Sequence, residues 1–279
     1  MILLGYRDHN VHELVCHEIA KRARYYDRLG IDVEAVPGSE HPEAELSAGL
    51  GGSLVEALRG QRHWKVALVH TLHPLFWIWE RRGGTQPAGP TVLAAHPEGS
   101  IVWAFTQRLL TSWAGDEAPS VRHFPGGIAG DRQRLEALRS GAADAAVLGS
   151  AFAPSALSRL GLTESLFFGA ALRFPTAGIA VDLQRTSLDD PSVRKVVAAQ
   201  TAAIGDVENR TPVALDAVAS LLHDSSRADA QRMLSDYLSP RYGPDPQDVR
   251  AAGADACEWL TGVLPASGHT TPDFYEAVR

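Results

Sequence analysis

The chain has 279 residues, more than a typical domain of ~100–150 residues, and 45% of them are apolar while 21% are charged. This balance is that of a globular protein, and the formal net charge of −7 offers no basic surface for nucleic acid. No segment has the ~20 apolar residues that a membrane span needs, and two cysteines exclude a disulfide-dense scaffold. We therefore expect two lobes or one large α/β domain, with neither membrane insertion nor a nucleic-acid partner.

The N-terminal sequence MILLGYRDHN enters an apolar strand at its second residue. It has no basic segment, no long apolar segment and no small-residue cleavage site of the kind found in secretory leaders. The sequence thus favours a cytoplasmic location. The alternative is a periplasmic or otherwise extracytoplasmic protein whose leader has been removed.

The first third of the chain alternates short apolar strands with helices. A strand at Ile2–Gly5 precedes a helix at Val11–Tyr26, where apolar residues recur at helical spacing, and a strand at Ile31–Val36 follows. The helix GGSLVEALRG and a strand at Val66–Val69 complete the unit. This order predicts a parallel sheet with helices on its faces.

The middle of the chain repeats this order. Strands are predicted at Thr91–Ala95, Ser120–Phe124 and Asp144–Leu148, with helices at Ile101–Trp113 and Asp131–Ser140 between them. The segment ALRGQRHWKVALVHTLHP also has a counterpart, ALRSGAADAAVLGSAFAP, that begins 80 residues later. We interpret the two as one unit used twice and predict two similar lobes; chance similarity between generic α/β units is the alternative.

From Thr176 the pattern changes. The strand TAGIAVD precedes a helix that starts at Asp190-Pro191, with proline in its first turn. Residues 211–279 predict only helices, separated by the linkers SPRYGPDP and PASGHTTP. We expect this helical extension to pack on the outside of lobe one.

Three segments in this order resemble the type II periplasmic-binding superfamily, in the branch of sulfonate-, nitrate- and thiamin-pyrimidine-related binding proteins and several enzymes. They are GYRDHNVHELVCHEIAKRARYYDRLGIDVEAVPG, LEALRSGAADAAVLGS, and FPTAGIAVD with DDPSVRKVVAAQTAA. The resemblance implies an α/β fold of two Rossmann-like lobes joined by a two-strand hinge, with residues 1–82 plus 177–279 in lobe one and 83–176 in lobe two. The crossovers are expected near WERRGGTQPAG and RFPTAG, and the ligand between the lobes.

The first lobe also resembles an aromatic sulfinate desulfinase of this branch, whose reactive groups are a cysteine and an arginine. In this chain His9 stands in place of the cysteine and Gly49 in place of the arginine, although Gly51 and Gly52 are retained. Desulfination is therefore not expected. The cysteine-rich loop of the thiamin-pyrimidine synthases is also missing from the sequence.

Histidines are frequent in the loops that would face the cleft. We predict His9 and His70 as catalytic residues, one acting as a base while the other stabilises developing charge, because histidine titrates near neutral pH. Asp8 or Glu98 would orient an imidazole. The i,i+3 spacing to His12 and His73 could also hold zinc or nickel, but it is weak evidence beside local hydrogen bonding, and we expect neither a metal nor a cofactor.

An anion could bind at helix N-termini, whose free N–H groups carry partial positive charge. Gly99-Ser100 and Gly126-Gly127 precede two such helices, and Arg173 could pair with a ligand carboxylate. Trp77, Trp79 and Trp103 could form an aromatic wall, although core packing is the commoner role. The predicted ligand-binding residues are Asp8, Asn10, Thr71, His96, Glu98, Gly99, Ser100, Gly126, Gly127, Ser150 and Arg173.

Two functions fit these observations. The one we narrowly favour is a cytosolic enzyme that closes its lobes over a small organic acid or aromatic ligand, with lyase, dehydratase or decarboxylase chemistry at the cleft histidines. The second is the solute-binding component of an ABC importer for sulfonates, nitrate or thiamin precursors, which would have a permease as partner. A ligand sensor without catalysis is a third.

Overall fold

The computed structural model describes residues 1–81, 92–114, 118–263 and 273–275. Ten strands lie within them: β1 (Ile2–Tyr6), β2 (Val33–Pro37), β3 (Leu46–Gly49), β4 (Trp64–Thr71), β5 (Phe76–Arg81), β6 (Val92–Ala95), β7 (Ser120–His123), β8 (Ala145–Gly149), β9 (Leu162–Phe167) and β10 (Ala177–Asp182). The predicted strand residue Thr91 and the predicted linker at 265–272 fall outside the described residues.

The strands form two sheets of five. The first has the order β2-β1-β3-β10-β4 and the second the order β7-β6-β8-β5-β9. In each sheet one strand, β10 or β5, is antiparallel to both of its neighbours, while the three strands on one side of it are parallel to each other. We call the first sheet with its helices lobe one and the second lobe two. The prediction of two similar α/β lobes is confirmed.

The repeated sequence segment, however, does not mark equivalent strands. In the first copy the strand is β4, which lies at the edge of its sheet beside the antiparallel strand β10. In the second copy the strand is β8, which lies between β6 and the antiparallel strand β5. By position in the sheet, β4 corresponds to β9 and β8 corresponds to the short strand β3. The conclusion of two related lobes was right, but the register of the repeat was wrong by one strand.

Eleven α-helices lie in the described part of the chain. Asn10 begins the first of them, since its side chain accepts a hydrogen bond from the Glu13 N–H at 3.0 Å. The helices are α1 (Val11–Arg22), α2 (Tyr25–Arg28), α3 (Leu50–Leu58), α4 (Ile101–Ala114), α5 (Gly127–Ser140), α6 (Pro154–Arg159), α7 (Phe168–Ala171), α8 (Pro191–Glu208), α9 (Pro212–Leu221), α10 (Arg227–Arg232) and α11 (Pro246–Val263), with a π-helical segment at Met233–Leu238.

The helices cover two apolar cores, and each core draws on both sheets. One core joins Leu4 of lobe one and Trp77 of lobe two with residues of α1, α8 and α9. The other joins Val66 of lobe one and Ile78 of lobe two with residues of α3, α4 and α11. Burial of apolar surface therefore continues from one lobe into the other on both sides of the molecule.

The C-terminal helices reach both lobes, which is more than the predicted contact with lobe one. Helices α8 and α9 pack on α1 of lobe one, as expected. Helix α10 packs on α6 of lobe two, where Arg159 bonds both carboxylate oxygens of Asp229, at 2.5 and 2.6 Å. Helix α11 places Trp259 parallel to the ring of Phe105 on α4. The extension thus ties the lobes together.

The chain passes between the sheets at residues 72–75 and again at residues 172–176. The second passage lies in the predicted crossover RFPTAG. The first comes before β5, so that β5 pairs in lobe two, whereas the expected boundary at residue 82 placed it in lobe one. Most of the segment expected to form that crossover, residues 82–89, lies outside the described residues.

Among the described helices, none is both long enough and apolar enough to cross a bilayer.

Candidate functional site

A cleft of about 490 Å³ lies between the two lobes, at the carboxyl ends of their parallel strands. Lobe one contributes the β1–α1 loop and the start of α3, and lobe two contributes the loops before α4 and α5. Phe76 and Thr176, at the ends of the two passages between the sheets, also line it. The volume is within the range of small-molecule sites, ~300–1,000 Å³.

The lobes contact each other around this cleft. The buried Ser150 hydroxyl, after β8, accepts a hydrogen bond from the His12 backbone N–H of α1 at 2.9 Å. Asp8 of lobe one accepts a hydrogen bond from the Gly127 N–H at the start of α5. Ile101 of lobe two packs on Gly51 of lobe one, where a Cβ would lie only 3.1 Å from its side chain. The described arrangement is therefore one in which the two lobes are together.

The Arg7 side chain lies against the start of α3. Its guanidinium forms an ion pair with Glu56, with Nη2 2.5 Å from Oε1. A Cβ at Gly49 would lie 2.9 Å from Arg7 Cγ and 3.1 Å from both carboxyl oxygens of Glu13. Position 49 thus has no room for a larger residue, and the arginine at this end of the cleft comes from the β1–α1 loop instead.

Two carboxyl groups of lobe one share the cleft. Glu13 Oε2 accepts hydrogen bonds from the N–H groups of Arg7, at 2.7 Å, and Asp8, at 3.4 Å. Burial, reinforced by the charge of Asp8, raises the pKa of Glu13 to about 8. Burial, reinforced by the charge of Asp131 on α5, raises the pKa of Asp8 to about 6. Near neutral pH the pair therefore holds a proton that ordinary carboxylates would have lost.

Two imidazoles, one from each lobe, flank Phe76. The rings of His12 and His96 both lie edge-on to the Phe76 ring, with centroids 6.1 and 5.6 Å away. His12 Nε2 is 2.6 Å from the Thr176 hydroxyl. Burial and the charge of His70 lower the pKa of His12 to about 3. Burial and the charge of Arg134 lower the pKa of His96 well below its ordinary value, so both rings are neutral at pH 7.

His96 is held by a buried polar network in lobe two. Arg134 is fully buried, and its Nη2 donates to Asp131 Oδ1 at 2.6 Å and lies 3.0 Å from His96 Nε2. Its other nitrogens donate to the carbonyls of Val147 and Pro125. Because a buried guanidinium needs such partners, this network fixes the wall of the cleft.

Lobe one brings two electropositive groups to the cleft, at opposite ends of α3. No side chain caps the N-terminus of α3, where Gly49 is the cap residue, but its first N–H, that of Leu50, donates to the Thr176 carbonyl at 2.9 Å, so only the next N–H groups keep their partial positive charge. Arg59, just past the end of α3, lines the cleft and reaches the Gly99 carbonyl of lobe two at 3.4 Å. Within the described residues it has no carboxylate partner. This side of the cleft can therefore receive an anion.

Comparison with solved structures agrees with this architecture. The alkanesulfonate-binding protein SsuA of Xanthomonas axonopodis pv. citri, bound to MOPS, superimposes with a TM-score of 0.74 at 16% identity, over 100% of this chain and 97% of that one. A Candida albicans gene product described as having the generic periplasmic binding protein fold gives 0.70 at 13% identity, over 100% and 96%. This chain has the periplasmic-binding-protein fold.

The same fold is found in an enzyme. The desulfurization enzyme DszB superimposes with a TM-score of 0.66 at 14% identity, over 99% of this chain and 98% of that one. At such identities the likeness establishes the fold alone. No protein-family model and no curated protein sequence matches the chain.

Six of the predicted site residues line the cleft of this periplasmic-binding-protein fold. They lie in the β1–α1 loop of lobe one and in the loops before α4 and α5 of lobe two. Gly99 and Gly127 adopt φ values of +76° and +72°, a region that favours glycine, which explains the glycines in both loops. The six are Asp8, His96, Gly99, Ser100, Gly126 and Gly127.

The two histidines predicted to be catalytic lie elsewhere. His9 is exposed and its ring lies edge-on to that of Tyr6, with centroids 5.6 Å apart. His70 is fully buried on β4, stacked on Tyr242, and burial lowers its pKa to about 4. Neither lines the cleft. His12 does line it, and nothing in the sequence distinguishes His12 from His9 and His70.

The remaining predicted residues serve other contacts in the fold. Asn10 caps α1, Ser150 bonds His12, and the Thr71 hydroxyl accepts from the His73 N–H at 3.1 Å. Arg173 forms an exposed ion pair with Asp248, and Glu98 is exposed outside the cleft lining. Trp77 and Trp79 are in the core and Trp103 lies against His123, none of them in the cleft lining.

The residues that sequence reasoning missed are those whose role depends on packing between distant segments. The sequence does not single out Arg7, Glu13 or Arg59, because each is an ordinary charged residue in or beside a helix. Phe76 and Thr176 belong to the passages between sheets. The sequence contains one signal for Glu13, which is an acidic residue in the first turn of α1, beside the β1–α1 loop that was predicted to face the cleft. No group of three or more potential metal ligands is found among the described residues.

Proposed function

We propose that this protein binds a small organic anion between its two lobes. The observation that carries the proposal is the contact of Arg59, at the end of α3, with the loop before α4 across the cleft. Arg59 reaches Gly99 in the loop before α4, so groups of opposite lobes can contact one bound anion. Anions bind well where helix N-termini and a guanidinium converge.

The charges around the cleft support an anion over a cation. Glu56 is paired with Arg7, and Glu13 is largely protonated near neutral pH because burial raises its pKa. Asp8 already accepts a hydrogen bond from Gly127 at the start of α5. Arg59 is left to attract the ligand. The name of the Xanthomonas protein, alkanesulfonate-binding, supports sulfonates or carboxylates as the ligand class.

A second candidate function, catalysis, rests on the Asp8 and Glu13 pair. Adjacent carboxyl groups with raised pKa values can exchange a proton with a ligand near neutral pH, as general acids and bases do. The enzyme DszB shows that the fold can carry chemistry. In this form of the proposal Glu13 and Asp8 move the proton, and the predicted pair His9 and His70 does not.

The first test is binding. Aliphatic and aromatic carboxylates and sulfonates are screened by thermal shift, and the compounds that stabilise the protein are measured by calorimetry. A ligand at 100 times its Kd stabilises the folded state by ~2.7 kcal/mol, which is readily detected. Arg59→Ala is expected to weaken binding at least tenfold. Arg139→Ala, an exposed arginine on α5 with the same change in charge, is the matched control and should bind normally.

The second test separates binding from catalysis. A bound compound is incubated with the protein and followed by NMR. A compound returned unchanged supports a receptor or sensor; the receptor form then calls for an ABC permease as partner and an extracytoplasmic location. Consumption that stops in Glu13→Gln but continues in His9→Ala supports the enzyme. If no anion binds, or if Arg59→Ala binds as tightly as the wild type, the proposed function is wrong.

A further inference from the structure

His96 and His12 are cleft side chains whose buried Nδ1 atoms have no hydrogen-bond partner among the described residues, and for His96 the contacts also decide which nitrogen carries the proton. His96 lines the cleft from lobe two, with only 3% of its surface exposed. Among the described residues, its Nδ1 has no hydrogen-bond partner, whereas Nε2 lies 3.0 Å from Arg134 Nη2. One ring nitrogen of His96 therefore has a hydrogen-bond partner and the other has none.

The contact with Arg134 determines which nitrogen carries the proton. A guanidinium has only donors, so its approach to Nε2 is a hydrogen bond only if Nε2 accepts. Arg134 cannot turn away, because its nitrogens also donate to Asp131, Pro125 and Val147. In a neutral imidazole with an accepting Nε2, the proton is on Nδ1. His96 thus offers a hydrogen-bond donor at Nδ1.

A buried donor without a partner costs about 1–3 kcal/mol. Such a group is normally satisfied by protein, water or ligand. Its position in the wall of the cleft makes a ligand the natural partner. We propose that His96 donates its Nδ1–H to a hydrogen-bond acceptor on the bound anion, and that Arg134 is the residue that positions it. This inference rests on the proposed function.

The class of ligand follows from the neighbours of His96. Its ring and that of His12 flank Phe76, and both histidines are almost fully buried. The three rings are aromatic and uncharged, while the anionic group belongs at Arg59. The ligand is therefore an organic acid with a second, neutral acceptor, such as a heteroaromatic nitrogen or a carbonyl oxygen. A donor in that place would meet the Nδ1–H and be rejected.

The test uses four acids of nearly equal shape: benzoate and the pyridine-2-, pyridine-3- and pyridine-4-carboxylates. They differ in whether a ring atom can accept a hydrogen bond and where it lies. At least one pyridine acid is expected to bind about tenfold more tightly than benzoate, the value of one good hydrogen bond. His96→Phe should abolish this preference without weakening benzoate. His96→Asn, whose amide N–H lies near the position of Nδ1, should keep part of it.

Controls separate the inference from the proposed function. His63→Phe changes an exposed histidine elsewhere on lobe one and should leave all four affinities as in the wild type. If the four acids bind equally and His96→Phe changes nothing, the inference is wrong while the proposed function stands. If none of the four binds, the inference is wrong, and the wider screen of carboxylates and sulfonates decides the proposed function separately.

A measurement on the wild-type protein tests the proton position directly. ¹⁵N NMR of the histidine side chains should show the His96 Nδ1–H form, insensitive to pH between 5 and 8. Arg134→Lys keeps a donor and should keep this form, whereas Arg134→Met frees the ring to place its proton on Nε2. Finding Nε2–H in the wild type would overturn the assignment even if every variant folds.

Discussion

Replacing Glu13 by glutamine should reveal the buried proton at the cleft as a gain in stability at alkaline pH. Glu13 is only 7% exposed, and burial raises its pKa from the ordinary 4.5 to about 8. Between these two values the folded state holds a proton that the unfolded chain has released. The stability of the wild type must therefore fall as pH rises through this window.

The size of the effect follows from the shift. One pKa unit corresponds to about 1.4 kcal/mol, so the full difference sets an upper bound of ~5 kcal/mol above pH 8. Because Asp8 and Glu13 titrate together, part of this free energy belongs to the pair and not to Glu13 alone. We therefore expect the free energy of unfolding of Glu13→Gln to exceed that of the wild type by ~3 kcal/mol at pH 8.5. The glutamine carbonyl can still accept from the N–H of Arg7, so little should change at pH 5.

The assay is urea unfolding followed by circular dichroism at pH 5, 7 and 8.5. Glu136→Gln is the control, because Glu136 is an exposed glutamate whose replacement should have no comparable pH dependence. If Glu13→Gln lost the same stability at every pH, Glu13 would be an ionised carboxylate that holds the β1–α1 loop, and the reasoning would fail.

Two further predictions concern the junction between the lobes. Asp229→Asn should cost about 2 kcal/mol, measured by urea unfolding, because Arg159 and Ser155 bond the buried carboxylate. Its pKa is held below the ordinary value chiefly by Arg159, so its contribution is present at neutral pH and is lost as pH falls; the difference from the wild type should therefore shrink as pH falls, and a difference that stayed constant would contradict this. Gly51→Val should push against Ile101 and keep the lobes apart, with binding at least tenfold weaker in calorimetry and a larger radius of gyration in X-ray scattering. An unchanged radius together with unchanged affinity would show that the contact is dispensable.

The local pattern of the sequence was enough to predict most helices, the longer strands and the two glycine-containing loops of lobe two. Strands β3, β5 and β9 were missed for different reasons. Strand β3 is four residues containing serine and glycine, too short and too small to show alternation. Strand β5 is strongly apolar, but it continues the apolar segment VALVHTLHPLFWIW that begins in β4, so no separate strand is predicted there.

The cleft was harder to predict because its residues are selected by pairing between distant segments. His12 and His9 are three residues apart in one loop and helix start, yet only His12 turns toward Phe76 and Thr176. His70 lies on β4, and the pairing of β4 with β10 decides whether its side chain is buried. A side chain on the opposite face of β4 would lie in a different part of the molecule. Such choices depend on strand register, which a single sequence does not display.

The exchange of β5 and β10 bears on how this chain could be divided. Each of these strands lies in the middle of one sheet although the chain reaches it directly from the other. A fragment ending at residue 71 would contain β3 and β4 but not β10, the strand that separates and pairs with both. The remaining fragment would contain all five strands of the second sheet, but it would also carry β10 without the strands that pair with it. Split within an exposed loop and co-expressed, the two fragments should instead depend on each other for solubility and assemble as an obligate pair.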